Sequence, residues 1–332
     1  MGYVVFGAGA IGGVVGGRLI QAGFDVTLIA RGAHLEALQA RGLRLESPAS
    51  TETLRPAAVG HPREIDWGNS HVVLMAVKSH QTLAALGELA EVAPPETPIV
   101  CLQNGIANEP AVLRMFPTVQ GVSVACPTSH LQPGVVQAWS TPVTGLLDIG
   151  VYPAGIDQVS EAVAADFRAA TFSSYPVGDI RRWKNRKLLT NLGNAIEAVC
   201  GPDERQGPLG DLLLAEGEAV LAAAGLEAAT AEEDRTRRGD LLQRGEIAGQ
   251  THPGGSSWQS LRRATGDIET DYLNGEIVLL GRLHGIPTPA NDLLQHLARE
   301  LAVTGHAPGA APAATILERL EKAPKPARPA SG

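Results

Sequence analysis

The sequence predicts an α/β N-terminal domain built on a parallel sheet, followed by an all-α C-terminal domain. Two observations carry this prediction. The first half alternates short, unbroken apolar runs with helix-like spacing, which is typical of parallel strands covered on both faces. From about residue 178, long segments with helical spacing take over. At 332 residues, the chain is long enough for two domains.

The N-terminal elements follow from where the apolar runs begin and stop. Between residues 119 and 149 the segments are short and interrupted by Gly and Pro. Because strand and helix alternate before that point, right-handed crossovers are expected between the strands. Strands are predicted at residues 3–6, 24–30, 72–77 and 98–102, and helices at residues 10–22, 81–92 and 158–170.

The C-terminal half is predicted to be helical, and its onset sets the domain boundary. We place the domains at residues 1–177 and 178–304. After Gly305 the chain is rich in Ala and Pro, so residues 305–332 are predicted to be a disordered tail. Helices are predicted at residues 180–200, 211–224, 230–247, 256–263, 267–284 and 291–304.

Composition excludes several classes of partner. A formal net charge of −8 argues against nucleic acid or an anionic membrane, so any bound anion must be met by local groups. Cys101, Cys126 and Cys200 lack C-x-x-C spacing, which indicates buried, reduced thiols in a cytoplasmic protein and no metal site. The uncharged N-terminal run lacks the features of a signal peptide and is short for a membrane span. A homodimer is compatible with the sequence.

A glycine-rich turn directly follows the first predicted strand and opens a helix. In a G-x-G-x-x-G turn, the first glycine permits the bend, the second lets a pyrophosphate approach, and the third lets helix and strand pack closely. The helix N-terminus offers N–H donors to the anion. We therefore predict a dinucleotide-binding turn, which we call the glycine turn, formed by Gly7, Ala8, Gly9, Ala10, Ile11 and Gly12.

Three residues at predicted strand ends complete this cofactor site. The second strand ends at Arg31 without the acidic residue that usually binds the ribose of NAD, and arginine can pair with a 2′-phosphate, so NADP(H) is favoured. Lys78 and Asn104 follow the next two strands, at the edge where such sheets bind ligands, so both are expected near the nicotinamide or phosphates. The alternatives are exposed loop side chains and, for Asn104-Gly105, a simple turn.

The predicted helix over residues 180–200 carries an unusual polar stripe. Lys187, Asn191 and Asn194 lie at i, i+4 and i+7, on one face, while the remaining positions are largely apolar. Because helix interiors disfavour asparagine, we predict that this stripe belongs to a site. A solvated face is the alternative.

Polar residues between 253 and 272 form a second candidate set. Ser256 and Gln259 match a capping box, which leaves the Ser257 hydroxyl available to a carboxylate. Asp267 is predicted to cap the next helix, which carries Glu269 and Tyr272 on one face. A carboxylate near a lysine keeps the ammonium charged and oriented. By itself, Glu269 would be an ordinary acid in a first helical turn.

Taken together, these motifs resemble the ketopantoate reductase (2-dehydropantoate 2-reductase) family from Gly2 to about Ala302. The family pattern combines the terminal glycine turn with a lysine and an Asn-Gly after later strands, a K-x-x-x-N helix, and Ser-Ser before E-x-D-Y-x-N-G. The matching residues here are Gly7, Gly9 and Gly12, Lys78, Asn104-Gly105, Lys187 and Asn191, Ser256-Ser257, and the segment from Glu269 to Gly275.

The resemblance implies a Rossmann-type domain, a helical domain and a cleft between them, where NADPH delivers hydride to the C2 carbonyl of a 2-oxo acid. By analogy, Lys187 is the general acid and Glu269 orients it and binds a substrate hydroxyl. Asn191 and Ser257 hold substrate oxygens, and Asn104 lies near the nicotinamide.

Two departures fall on the substrate side. Ala195 stands where the family often has a second asparagine, which Asn194 would have to replace, and Gly254-Gly255 replaces an asparagine before the serines. These departures bear on the identity of the substrate and not on the cofactor or the reaction type. The leading hypothesis is formation of (R)-pantoate from ketopantoate for pantothenate synthesis. Reduction of a different 2-oxo acid stays open, as does a non-catalytic NADP(H)-binding sensor.

Overall fold

A computed structural model describes residues 2–250, 252, 254–263 and 266–322. The chain forms two compact units. The first comprises Met1–Lys184 and Ala229–His252, and the second comprises Asn185–Ala228 and Pro253–Gly332. The first unit is an α/β domain with a mostly parallel sheet, and the second is mostly helical, as predicted.

The strands and helices of the first unit are numbered in chain order. They are β1 (Gly2–Phe6), α1 (Ala10–Gln21), β2 (Val26–Ile29), α2 (Gly32–Arg41), β3 (Leu43–Glu46), β4 (Thr51–Leu54), β5 (Ala57–Val59), β6 (His71–Met75), α3 (Thr82–Ala90), β7 (Ile99–Cys101), α4 (Asn108–Leu113), β8 (Val119–Ala125), β9 (Thr128–Gln132), β10 (Val135–Ala138), β11 (Ser140–Pro142), β12 (Leu146–Val151), α5 (Gln158–Ala169), α9 (Ala231–Arg238) and β13 (Leu242–Arg244).

The helices of the second unit follow. They are α6 (Ile180–Asn191), within which the division between the units falls, α7 (Gly193–Cys200), α8 (Pro208–Ala223), α10 (Ser256–Arg262), α11 (Asn274–His284), α12 (Pro289–Thr304) and α13 (Ala313–Lys322). Among the described residues, no helix is long and apolar enough to cross a membrane.

The main sheet has seven strands in the order β12-β8-β7-β6-β1-β2-β5. All pairs are parallel except β12 with β8. Alternate residues of the central strands enter two separate cores: Val5 and Leu74 pack on one face, and Val4 and Val73 on the other. Burial on both faces explains why the sequence shows unbroken apolar runs. From β1 the chain first builds the sheet on one side, with β2, and later on the other side, with β6. The strand order therefore reverses between β1 and β6, which is the switch point of the sheet.

The predicted helix over residues 230–247 is wrong beyond residue 238. The helix α9 ends at Gly239, whose φ is +42°, and β13 then pairs antiparallel with β11 of the first unit. Arg237 holds α9 through two hydrogen bonds to Asp148, at 2.6 and 2.7 Å. The contacts with Asp148 and β11, which are distant along the chain, decide the structure of this segment in place of its helix-like apolar spacing. Ala229–His252 therefore belongs to the first unit and not to the helical one.

The predicted disorder of the tail is wrong for part of its length. Residues 313–322 form α13, which packs against α8. Ala313 and Ile316, one helical turn apart, are buried, and Ile316 is only 1% exposed. This short apolar face supplies the packing energy that an Ala/Pro-rich composition alone does not predict. The rest of the predicted tail, residues 323–332, lies outside the described residues.

Candidate functional site

Two of the three glycines of the glycine turn, Gly7 and Gly12, occupy positions where a side chain would clash. Gly7 has φ +104°, and a Cβ there would lie 2.7 Å from the Val77 nitrogen. A Cβ on Gly12 would lie 2.1 Å from the Gly7 carbonyl oxygen. At Gly9, by contrast, no described heavy atom lies within 4 Å of the Cβ position, so the backbone faces open space. This open, side-chain-free cradle fits the pyrophosphate of a dinucleotide.

The first helix completes the cradle electrostatically. Gly9 is the N-cap of α1, Ala10 and Ile11 begin the helix, and no side chain of the described residues caps it. Its first turn contains no acidic residue, so the N–H groups and the positive end of the helix dipole remain available to an anion. The turn is anchored because the N–H groups of Gly7 and Ala8 both donate to the Ile29 carbonyl, each at 3.1 Å.

Arg31 follows β2 by two residues and is the N-cap residue of α2. One of its terminal nitrogens donates to both carboxylate oxygens of Glu88, at 2.6 and 2.7 Å. The Arg31 side chain is 63% exposed and uses only one nitrogen for this pair, so its other N–H groups can meet a phosphate. Sequence reasoning missed Glu88, which comes from α3.

His34 links the glycine turn to the loop between β9 and β10, a contact that no sequence pattern indicated. Its Nε2 lies 2.7 Å from the Ala8 carbonyl oxygen, and its Nδ1 accepts a hydrogen bond from the Gly134 N–H at 2.9 Å. These two contacts require the neutral ring with the proton on Nε2. Burial lowers the pKa of His34, which favours the same neutral form. The His130 ring lies 4.3 Å away, centroid to centroid.

The loops after β6 and β7 carry Lys78 and Asn104, and buried polar groups tie these loops together. Gln103 donates to the Val77 carbonyl at 3.0 Å and to the Thr82 hydroxyl at 2.7 Å. Asn108 donates to the Asn104 carbonyl at 3.1 Å. Both loops therefore lie at the carboxyl edge of the sheet beside the switch point, as predicted for Lys78 and Asn104.

A buried ion pair lies beneath the same edge. The Lys184 ammonium is 2.6 Å from the Glu109 carboxylate, and the two side chains are 4% and 0% exposed. Neither Glu109 oxygen has a hydrogen-bond partner among the described residues, so charge attraction dominates this contact. Lys184 also donates to the carbonyls of Gln103, at 2.9 Å, and Val122, at 3.3 Å. The pair thus fixes the start of the loop that bears Asn104.

The predicted helix over residues 180–200 is interrupted in the second unit. Lys187 and Asn191 lie on α6 and Asn194 lies on α7; the two helices are separated only at Leu192, where the backbone angles stay helical but the hydrogen bonds shorten to i→i+3. At this point the Thr190 carbonyl accepts from Arg205 at 2.8 Å, and the Leu192 carbonyl accepts from Asn274 at 3.2 Å. Side chains thus donate hydrogen bonds to two backbone carbonyls at the interruption. The polar stripe of Lys187, Asn191 and Asn194 is divided between two helices.

Asn274 belongs to a buried polar cluster that supports this interruption. Its amide nitrogen also donates to the Asn291 side-chain oxygen at 3.0 Å, and both residues are at most 1% exposed. The Glu216 carboxylate accepts from the backbone N–H groups of Ala290 and Asn291, at 2.8 and 2.9 Å. Burial raises the pKa of Glu216, and these hydrogen bonds oppose that shift.

Groups that the sequence did not indicate join Asn194 to residues 255–257, which we call the serine segment. Arg205 donates to the Asn194 side-chain oxygen at 2.9 Å and also pairs with Glu197. The predicted capping box of Ser256 and Gln259 is wrong: Gly255 is the N-cap of α10, and its N–H donates to Glu197 at 2.6 Å. Glu197 thus accepts from the N–H of the N-cap residue, the bond that the N3 side chain makes in a capping box.

Ser257 is 1% exposed, and its hydroxyl has no hydrogen-bond partner among the described residues. It lies in the first turn of α10, which packs against α7 and therefore beside the helix of Asn194. A buried hydroxyl of this kind costs free energy unless a ligand or water satisfies it. Ser257 is thus suited to bind an oxygen of a bound molecule.

Glu269 begins a short 3₁₀ helix, Glu269–Tyr272. The predicted α-helix over residues 267–284, capped by Asp267, is therefore wrong in its first part. The residue before Glu269, Ile268, is the N-cap, and α11 starts only at Asn274. Burial lowers the pKa of Arg263, and the carboxylates of Asp267 and Glu269 oppose this shift by attraction. Glu269 therefore lies within electrostatic range of a half-buried guanidinium that sequence reasoning missed.

Comparison with known proteins covers both halves of the chain. The model of the ketopantoate reductase PanE/ApbA family matches residues 3–152, and its C-terminal model matches residues 179–302. The chain is 28% identical to the 2-dehydropantoate 2-reductase of Pyrococcus horikoshii, over 90% of this chain and 97% of the relative. It is 31% identical to that of Archaeoglobus fulgidus, over 89% and 96%.

Solved structures show the same architecture. A PanE/ApbA family ketopantoate reductase from Ralstonia eutropha JMP134 is 29% identical, with a TM-score of 0.77 over 92% of this chain and 99% of that one. A D-mandelate dehydrogenase solved with NADH and anilino(oxo)acetate has a TM-score of 0.78 at 20% identity, over 92% and 100%, which shows a shared fold.

Proposed function

Because the chain belongs to the ketopantoate reductase PanE/ApbA family, we propose that it reduces 2-dehydropantoate (ketopantoate) to (R)-pantoate with NADPH. The observation that carries this proposal is the glycine turn at the switch point, in a chain whose family matches, residues 3–152 and 179–302, include both this turn and the Lys187 helix. The dinucleotide, when bound, supplies the hydride.

The residues of the first unit would hold the cofactor. The glycine turn and the N-terminus of α1 bind the pyrophosphate, and Arg31 pairs with the 2′-phosphate while it keeps Glu88. Lys78 and Asn104 bind at the carboxyl edge of the sheet, near the nicotinamide or the phosphates. His34 and the Lys184–Glu109 pair keep these loops in place.

The residues of the second unit would bind the 2-oxo acid. Lys187 donates a proton to the C2 oxygen as hydride arrives, and its positive charge stabilises the developing alkoxide. Glu269 orients the Lys187 ammonium and binds a substrate hydroxyl. Asn191, Asn194 and Ser257 hold substrate oxygens, and burial of the Ser257 hydroxyl supports its part in this role.

A second candidate is the reduction of a different 2-oxo acid. The observation that favours it is the Glu197 carboxylate, which fills the space beside Gly255, where a Cβ would lie 2.5 Å from its oxygen. The serine segment thus carries a charged neighbour in place of the asparagine side chain that the family often has there.

Steady-state oxidation of NADPH and NADH against ketopantoate and a panel of other 2-oxo acids tests both candidates. We expect the highest kcat/KM for ketopantoate with NADPH. A higher value for another 2-oxo acid would replace the first candidate by the second. Cofactor binding without turnover of any 2-oxo acid would refute both and leave a non-catalytic NADP(H)-binding protein.

A further inference from the structure

Arg205 lies between two side chains beside the serine segment. One terminal nitrogen donates to the Asn194 side-chain oxygen at 2.9 Å and to Glu197 at 2.5 Å, and the other donates to the Thr190 carbonyl at 2.8 Å. The second Glu197 oxygen accepts from the Gly255 N–H at 2.6 Å. Arg205 and Glu197 therefore link the start of α7 to the start of α10.

This arrangement fixes the polarity of Asn194. An asparagine side chain has one carbonyl oxygen, which accepts, and one NH2 group, which donates. Since Arg205 takes the carbonyl oxygen, Asn194 has its NH2 group to offer to a bound molecule. The Ser256 hydroxyl lies 3.5 Å from that NH2 group, which is the outer limit of a hydrogen bond. The buried hydroxyl of Ser257, on the same α10 turn, is a second donor.

The ion pair of Arg205 and Glu197 also determines the net charge beside the serine segment. The Glu197 side chain is 9% exposed, so its charge is only weakly screened by water, and Arg205 compensates it. Without Arg205, an unpaired carboxylate would stand beside the serine segment and repel an anion. A bulkier residue at position 255 would displace this carboxylate, because a Cβ there would lie 2.5 Å from its Oε2 atom.

We propose that Glu197 and Arg205 are positioning residues that hold Asn194 as a hydrogen-bond donor to the carboxylate of an anionic substrate. This inference rests on the proposed function, which places a 2-oxo acid beside Asn194 and Ser257. It adds that the substrate group at this point is an acceptor, and that the recognition depends on a compensated charge at Glu197.

The test compares Arg205→Met, Glu197→Gln and the double variant Glu197→Gln/Arg205→Met, using the best 2-oxo acid of the panel. Arg205→Met should raise KM about tenfold or more, with a smaller change in kcat and an unchanged Kd for NADPH. Glu197→Gln, which is isosteric, should lower KM, because Arg205 then has an uncompensated positive charge. The double variant should have a KM between those of wild type and Arg205→Met, because the unpaired Glu197 charge is removed while Asn194 still lacks its Arg205 donor.

The matched control is Arg282→Met, which removes an arginine from an exposed pair with Asp292 at 3.0 Å and should leave KM unchanged. If wild-type protein turns over and the double variant regains the wild-type KM, Arg205 does not position Asn194; if the double variant has the same KM as Arg205→Met, or if Glu197→Gln raises KM, the Glu197 charge has no part in recognition. Each of these results overturns the inference while the proposed function stands. If wild-type protein turns over no 2-oxo acid, both are overturned.

Discussion

Replacement of Lys184 by methionine is expected to lower the free energy of unfolding by about 3–5 kcal/mol. The Glu109 side chain is 0% exposed and 2.6 Å from the Lys184 ammonium, so the variant leaves a carboxylate buried without its counter-charge. The carbonyls of Gln103 and Val122 lose a donor as well. The effect is large because the low local dielectric that strengthens the pair also penalises the isolated charge.

Urea unfolding followed by circular dichroism measures this change. The double variant Lys184→Met/Glu109→Leu should recover most of the lost free energy, since no buried charge then remains unpaired. Lys322→Met, at an exposed pair with Glu318, is the matched control and should change it by less than about 0.5 kcal/mol. Equal destabilisation of the single and double variants would refute the argument, because side-chain packing and not charge would then explain the loss.

Three further predictions concern the cofactor edge and the interrupted helix. Arg31→Ala should raise Kd for NADPH about tenfold or more and hardly alter Kd for NADH. Glu88→Gln, which removes the carboxylate that Arg31 now pairs with, should lower Kd for NADPH. An equal rise in Kd for both cofactors in Arg31→Ala would contradict the 2′-phosphate assignment. Because burial lowers the pKa of His34 below 6.5, the unfolded chain binds more protons there, so stability falls as pH drops below about 6.5. In His34→Gln the drop in Tm from pH 7.5 to 5.5 should be smaller, and an identical drop would refute the role of His34. Asn274→Leu should destabilise the protein by about 1–3 kcal/mol in urea unfolding, because the Leu192 carbonyl loses a donor; no change would show that water replaces it.

The sequence predicts the glycine turn well because its requirements are local. Gly7 has a positive φ, and a Cβ on Gly12 would lie 2.1 Å from the Gly7 carbonyl oxygen. Both positions therefore favour glycine, and the glycines themselves show the turn in the sequence. The unbroken apolar runs predict the central strands for a similar reason. A short run that is apolar throughout is typical of a strand in a sheet covered on both faces.

The rest depends on partners that are distant along the chain. His34 is 100 residues from Gly134, and the Lys184 ammonium bonds a carbonyl 81 residues away, so neither contact has a local pattern. The interruption at Leu192 escaped prediction because Arg205 and Asn274 bond the nearby carbonyls of Thr190 and Leu192, while the apolar spacing continues through it.

Sequence-based prediction also failed where short elements are stabilised by their surroundings. The strand β13 has only three residues, and its pairing with β11 decides its conformation. Likewise, α13 is held by the burial of a few apolar side chains, which composition does not reveal.

The measurement that most directly tests the central claim is the turnover of Lys187→Ala with NADPH and the best 2-oxo acid. If Lys187 protonates the developing alkoxide, kcat should fall by about 10²-fold or more, while Kd for NADPH stays close to the wild-type value. A fall in kcat of less than about tenfold would contradict the assignment of Lys187 as the general acid.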